Sequence, residues 1–133
     1  MTKKNRHIFV IDDDKSIRWV LEKTLTKNNF TVSCFVDAES MLNDLESITP
    51  NVIISDIRMP GINGTDMMEQ VKREYPKIPI IIMTAFSDLE TTVMSLKKGA
   101  YEYVTKPFDI NEITALVEKA CKSSATSYLG QKT

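Results

Sequence analysis

The stretch "VIISDIRMPGINGTD" at residues 52–66 decides the reading of the chain. Four residues suited to a buried strand, Val52 to Ser55, run directly into a lone carboxylate, Asp56, and a Pro-Gly pair and a second glycine follow. A charge at the tip of a core strand costs folding free energy unless it is paired or put to use. Taken alone, Asp56 also suits a turn ahead of Pro60-Gly61, so the rest of the chain has to discriminate.

Outward from this strand, similar short apolar runs recur: "IFVI" at 8–11, "TVSCF" at 31–35, "NVIIS" at 51–55, "IPIIIM" at 78–83 and "YEYVT" at 101–105. Segments with helical spacing separate them. Ile17, Val20, Leu21 and Leu25 repeat at i, i+3, i+4, i+8, and Ile113, Leu116, Val117 and Ala120 repeat near the end. Met41, Leu42 and Leu45 mark a second helix, Met67, Met68 and Val71 a third, and Leu89, Val93 and Leu96 a fourth. "SDLE" at 87–90 has the capping-box pattern, Asp109 with Glu112 repeats it, and Gly99 suits a helix stop. Strands alternating with helices predict an α/β fold: a five-stranded parallel sheet with helices on both faces. The runs at 52–55 and 80–83 are apolar throughout, as central strands are, whereas 31–35 alternates like an edge strand. From Ser123 the tail "SSATSYLGQKT" turns Ser/Thr-rich and loses its period. The chain therefore divides into one domain over 1–122 and the start of a linker or disordered tail over 123–133.

Composition narrows the function. The 133 residues are 42% hydrophobic and 26% charged with a net charge of −1, which fits one ordinary globular domain and gives no electrostatic case for binding nucleic acid or an anionic membrane. Cys34 and Cys121 lack metal or redox spacing and read as reduced thiols in a reducing compartment. His7 is the one histidine, which argues against a histidine metal centre or a Ser/His/Asp triad. The N-terminal stretch "MTKKNRHIFVIDDD" lacks the apolar run of a signal peptide, and no run approaches a membrane span, so a cytoplasmic location without membrane contact is expected.

Ligands of open α/β sheets bind at the carboxyl ends of the strands. There the sequence puts Asp12, Asp13 and Asp14 after the first strand, Asp56 after the third, Thr84 and Ala85 after the fourth, and Lys106 before Pro107 after the fifth. Each has a plainer reading. Asp14 suits a helix N-cap, Thr84 an ordinary strand position, and Lys106 a solvated surface lysine. Three successive carboxylates converging with a fourth repel one another unless a cation sits among them. Carboxylates with open coordination positions form a hard-oxygen site suited to Mg²⁺, completed by water and a phosphate. A lysine and a threonine can then stabilise phosphoryl oxygens while a carboxylate acts as nucleophile. Phosphoryl transfer to an aspartate is the reading.

These residues resemble a known family. "VIDDD", "SDIRMPGINGTD", "IIMTA" and "YVTKPFD" together resemble the receiver domain of two-component response regulators over about 7–122. "SIRWVLEKTL", "SDIRMPG", "IIMTAFSDLE" and "KPFDINE" are most similar to the N-terminal domain of the nitrogen regulatory protein C (NtrC) group. The resemblance implies a CheY-like, flavodoxin-like sheet in the order 2-1-3-4-5. It makes Asp56 the phospho-acceptor for a sensor histidine kinase, with Asp13 binding Mg²⁺ directly, Asp12 mostly through water, and the Arg58 carbonyl as a further ligand. Lys106 holds the phosphoryl group, its bond to Pro107 being cis; Thr84 follows a phosphoryl oxygen, and Tyr103 changes its packing in response. Asp14 receives no metal role. The helix over about 89–98 is the moving element, and the face from helix 4 through strand 5 to helix 5, with Met94, Tyr101 and Tyr103, is the output surface. Gly61 and Gly64 are expected to let the loop after Asp56 pass close to the site. In the group resembled, an ATPase domain and a DNA-binding domain follow and activate sigma-54-dependent transcription; a phosphorylation-linked dimer is a further possible state.

Two other readings stand beside this one. "IFVIDDDKSI" at 8–17 also fits the start of an aspartate-nucleophile phosphatase of the haloacid-dehalogenase type, with Asp12 as nucleophile. That fold needs a late acidic pair after the lysine and leaves Asp56 without a role. The other is a free-standing receiver that acts by docking to a partner.

Overall fold

Strands at the centre of the sheet carry their side chains alternately to two apolar layers, and this decides the architecture. The structure, a computed structural model, describes residues 6–58, 61–62 and 64–132. Its strands are β1 (His7–Ile11), β2 (Thr31–Phe35), β3 (Val52–Asp56), β4 (Ile80–Ala85) and β5 (Glu102–Lys106), and its helices are α1 (Lys15–Lys27), α2 (Ala38–Leu45), α3 (Gly64–Glu74), α4 (Leu89–Lys97) and α5 (Ile110–Lys132). The strands are all parallel, in the order β2-β1-β3-β4-β5. Phe9, Ile11, Ile53, Ile80 and Ile82 pack on one face with residues of α2 and α3, and Leu96 of α4 rests partly buried against them. Ile8, Val10, Val52, Ile54, Ile81 and Met83 pack on the other face with α1 and α5. Period-2 alternation of apolar residues on both faces is what a doubly covered parallel sheet requires.

The helix signals resolve unevenly. Asp14 caps α1, accepting from the Ser16 and Ile17 amides. Asp109 accepts from the Asn111 amide ahead of α5, and Gly99 ends α4 at φ +115°. The capping box expected over "SDLE" does not form. A 3-10 turn occupies Phe86–Asp88, so Ser87 lies inside it and not at the cap; Asp88 stands at the cap without a side-chain capping bond, its Oδ1 paired with Arg58. The apolar face expected for α4 is also corrected. Leu89, Val93 and Met94 are exposed, while Thr92 and Ser95 are buried. Burial of these hydroxyls is tolerated because each bonds a carbonyl four residues back, Asp88 and Thr91 respectively. The backbone of α5 stays helical through Lys132, past Ser123 where the apolar period ends.

The loop that follows β3 returns to the sheet through α3. Its Pro60 lies outside the described residues, as do Met59, Asn63, residues 1–5 and Thr133. The two glycines serve different ends. Gly61 has open space around it and a positive φ of 78°, so it is there for backbone conformation. A Cβ on Gly64 would stand 2.9 Å from both Cα and O of Ile57, so Gly64 is there for space. The close pass expected of both therefore belongs to Gly64 alone. Because the obstructing atoms are backbone, Gly64→Ala is expected to cost about 1–3 kcal/mol in chemical denaturation. A loss below a few tenths would show that this close pass is not required.

Candidate functional site

Parallel strands bring all their carboxyl ends to one edge, and β1 and β3 flank the point where the strand order reverses. Asp12 and Asp13 follow β1 directly, Asp56 ends β3, Thr84 and Ala85 end β4, and Lys106 ends β5. The expected residues do converge. One carboxylate oxygen from each of Asp12, Asp13 and Asp56 lies within 4.8 Å of the others. The Lys106 ammonium stands among them, 2.7 Å from Asp12 Oδ2 and 3.4 Å from Asp56 Oδ2. The peptide bond between Lys106 and Pro107 is cis.

The three aspartates are not equivalent. Asp12 is fully buried and both its oxygens are engaged, Oδ2 by Lys106 and Oδ1 by the Asp14 amide at 2.8 Å. Asp12 is thus the least accessible of the three, which counts against the phosphatase reading. Asp13 is exposed. Asp56 is about one-seventh exposed, with a side-chain value of 14%. Its Oδ1 accepts a long bond, 3.4 Å, from the Arg58 amide. Asp56 is thus the carboxylate that combines access with weak engagement. Three carboxylates against one ammonium leave a net negative oxygen cage, the donor chemistry of a hard divalent cation such as Mg²⁺.

Burial pushes the Asp56 carboxyl above its ordinary value, and the Asp12 charge adds to this; Lys106 and the Arg58 amide offset part of it. Partial burial acts to lower Lys106, but its bonds to Asp12 and the charges of both aspartates outweigh this and raise it, so it stays an ammonium at neutral pH. His7 lies at the opposite end of β1 and bonds Ser33 Oγ at 2.7 Å, a structural role. Two open grooves, about 570 Å³ beside β5 and α5 and about 680 Å³ between α1 and α5, contain none of these carboxylates. A group as small as a phosphoryl needs only the open strand edge.

Two connections escaped the sequence reading. The Arg58 side chain, considered only for its carbonyl, pairs with Asp88: Nε lies 2.7 Å from Oδ1 and holds that carboxyl below its usual range. Thr84, fully buried, has its hydroxyl 2.9 Å from that of Thr92 on α4 and 3.1 Å from the Ala85 carbonyl. Neither pairing was legible, since neither is local in sequence. Tyr103 is exposed on the edge strand β5, whereas Tyr101 is half-buried against the α1/α5 layer.

A carboxyl whose folded pKa is raised takes up protons more readily when folded. The penalty of the Asp56 charge is therefore full above that raised pKa and disappears as the pH falls to the ordinary 3.8. Asp56→Asn removes the charge and leaves Lys106 on Asp12. At neutral pH without divalent metal its thermal midpoint is expected to rise by about 3–6 °C, with the gain shrinking as the pH is lowered. A midpoint that is unchanged or lower at neutral pH contradicts this electrostatic account.

Comparison with known proteins agrees with this geometry. Residues 8–118 match the family described as "Response regulator receiver domain". The chain is 49% identical over 113 residues to the DNA-binding transcriptional regulator NtrC of Escherichia coli K12, covering 85% of this chain and 24% of the relative. It is 36% identical over 124 residues to the transcriptional regulatory protein FixJ of Bradyrhizobium diazoefficiens, covering 93% and 60%. The chain thus spans about a quarter of the length of the NtrC relatives it matches. Among solved structures, full-length FixJ from B. japonicum superposes with a TM-score of 0.85 at 35% identity, covering 90% of this chain and 59% of that one. The receiver domain of the Francisella response regulator 1452 gives 0.82 at 28% identity, covering 89% and 98%. With five parallel strands in the order 2-1-3-4-5 and the match extending over most of its length, the chain belongs to the response regulator receiver domain family.

Proposed function

We propose that this receiver domain accepts a phosphoryl group on Asp56 from a phosphohistidine of a sensor histidine kinase. The observation that carries the reading is the placing of Lys106 between Asp12 and the more accessible Asp56 at the strand ends. An Asp56 carboxylate oxygen attacks phosphorus, the phosphorus–nitrogen bond breaks, and its electron pair leaves with the imidazole, which takes up a proton. Mg²⁺, held by Asp12, Asp13, Asp56 and the Arg58 carbonyl, supplies positive charge against the phosphoryl oxygens when bound. Lys106 pairs with one phosphoryl oxygen, and the Thr84 hydroxyl donates to another. Asp13, exposed and outside the Lys106 pairing, is the natural direct ligand; Asp12, with both oxygens engaged, suits contact through water.

The added charge biases α4 between two arrangements, with Tyr103 repacking on β5. Exposed Leu89, Val93, Met94 and Tyr103 support an output surface running from α4 through β5 to α5. The likeness to NtrC supports an output through an ATPase domain and a DNA-binding domain that activate sigma-54-dependent transcription in nitrogen regulation. In that arrangement residues 123–133 lead toward the next domain, a phosphorylated dimer is the active form, and the protein works in the cytoplasm. Among the described residues no helix is long and apolar enough to cross a membrane.

Incubation with acetyl phosphate and Mg²⁺ followed by intact-mass measurement tests the reading. One Mg²⁺-dependent phosphoryl adduct is expected on the wild type and none on Asp56→Asn, and Lys106→Ala is expected to form it about 10²-fold more slowly. Amide exchange over Leu89–Lys97 is expected to change in the phosphorylated sample. Equal adducts on wild type and Asp56→Asn would remove Asp56 from its role, and unchanged exchange would remove α4 from the switch.

A further inference from the structure

The buried face of α4 is polar where a helix packed on a sheet is ordinarily apolar, and Thr92 is its least exposed side chain but one, at 1%. Its hydroxyl oxygen lies 2.9 Å from Thr84 Oγ1 and 2.9 Å from the Asp88 carbonyl, while Thr84 Oγ1 lies 3.1 Å from the Ala85 carbonyl. A hydroxyl has one proton and a carbonyl has none, so two protons serve three contacts. When Thr92 donates to Asp88, the contact between the hydroxyls takes the proton of Thr84. When Thr92 donates to Thr84, the proton of Thr84 goes to Ala85. In both arrangements that bond the two hydroxyls the single proton of Thr84 is already engaged and its oxygen is tethered to α4.

We propose that Thr92 is a positioning residue of the phosphoryl site: its hydroxyl competes with a phosphoryl oxygen on Asp56 for the hydroxyl of Thr84. This rests on Asp56 being the phosphoryl acceptor. A phosphoryl oxygen can only accept, so Thr84 must turn its proton toward it. Then either the bond between the hydroxyls breaks, or Thr92 donates to Thr84 and abandons the Asp88 carbonyl. Both outcomes loosen the first turn of α4, the turn that Arg58 also holds through the Asp88 carboxylate. Thr92 thereby sets how strongly occupancy of the site is opposed by the resting position of α4. Its γ-methyl and hydroxyl are near-isosteric with the two methyls of valine, so the hydroxyl can be removed without opening a cavity. The Thr84 oxygen keeps the Ala85 carbonyl as a partner in that variant.

The test is titration of the whole chain with beryllofluoride at fixed Mg²⁺, followed by ¹⁹F NMR, on wild type, Thr92→Val, Thr92→Ala, Thr92→Ser, Thr84→Val and the double variant Thr84→Val/Thr92→Val. Loss of one competing neutral hydrogen bond is expected to tighten binding about three- to tenfold in Thr92→Val and in Thr92→Ala. Thr92→Ser is expected to bind as wild type, and Thr92→Val is expected to have no effect when Thr84 is already valine. Unchanged or weaker binding in Thr92→Val and Thr92→Ala overturns the proposal. So does tightening that persists without the Thr84 hydroxyl, because Thr92 would then act through packing. Failure of wild type to bind beryllofluoride at all overturns the phosphoryl site itself, and is distinct from equal binding by wild type and variants, which overturns only the role of Thr92.

Discussion

The ammonium of Lys106, 2.7 Å from Asp12 and 3.4 Å from Asp56, is the interaction on which the rest of the site depends. Three carboxylates within reach of one metal ion are a liability in a folded chain, and a single lysine offsets only part of their repulsion. Burial and the Asp12 charge raise the pKa of Asp56, and the lysine, bonded more closely to Asp12, offsets only part of this and leaves Asp56 weakly engaged. The same residue therefore keeps the acidic edge tolerable and keeps one carboxylate available for chemistry. Only a parallel sheet puts the ends of β1, β3 and β5 on one edge, so the topology is itself a requirement of the site.

From that edge, two threads run to α4. Arg58, two residues after Asp56, reaches the Asp88 carboxylate at the helix start, and Thr84, one residue before the end of β4, meets Thr92 one turn further on. The helix carries its polar side inward and leaves Leu89, Val93 and Met94 outward. Beside the partly buried Leu96, its inward side chains are the hydroxyls of Thr92 and Ser95, so polar groups replace part of the usual apolar packing. Hydrogen bonds of this kind are exchanged for others at little net cost, whereas a packed apolar face resists displacement. An apolar outer face on a helix held this way suits an element whose position is read by something else.

Much of this was legible in the sequence, for identifiable reasons. The strands at 52–56 and 80–85 declare themselves because both of their faces are buried, and β2 because it is an edge. Asp12, Asp13, Asp56, Thr84 and Lys106 are legible because strand ends in a parallel sheet are predictable positions. The Asp14 cap and the Gly99 stop are local and follow from local rules. What failed was non-local or depended on which side of a helix faces inward. "SDLE" satisfies the capping-box pattern, but a 3-10 turn over Phe86–Asp88 takes Ser87 away from the cap position, and Asp88, which stands there, is paired with a guanidinium thirty residues earlier in the chain. Leu89 and Val93 satisfy an apolar stripe, but the other side of α4 is the buried one, its hydroxyls tolerated there because they bond their own helix backbone. Past Ser123 the loss of apolar period removes a packing signal without removing the ability of the backbone to stay helical.

The central claim is that Asp56, and not its more buried or more exposed neighbours, is the nucleophile. The most direct measurement is to phosphorylate the protein with acetyl phosphate and Mg²⁺, reduce the acyl phosphate with borohydride, and locate the resulting homoserine by peptide mass spectrometry. The account predicts conversion at position 56 alone. Conversion at Asp12 or Asp13, with position 56 unmodified, would contradict it.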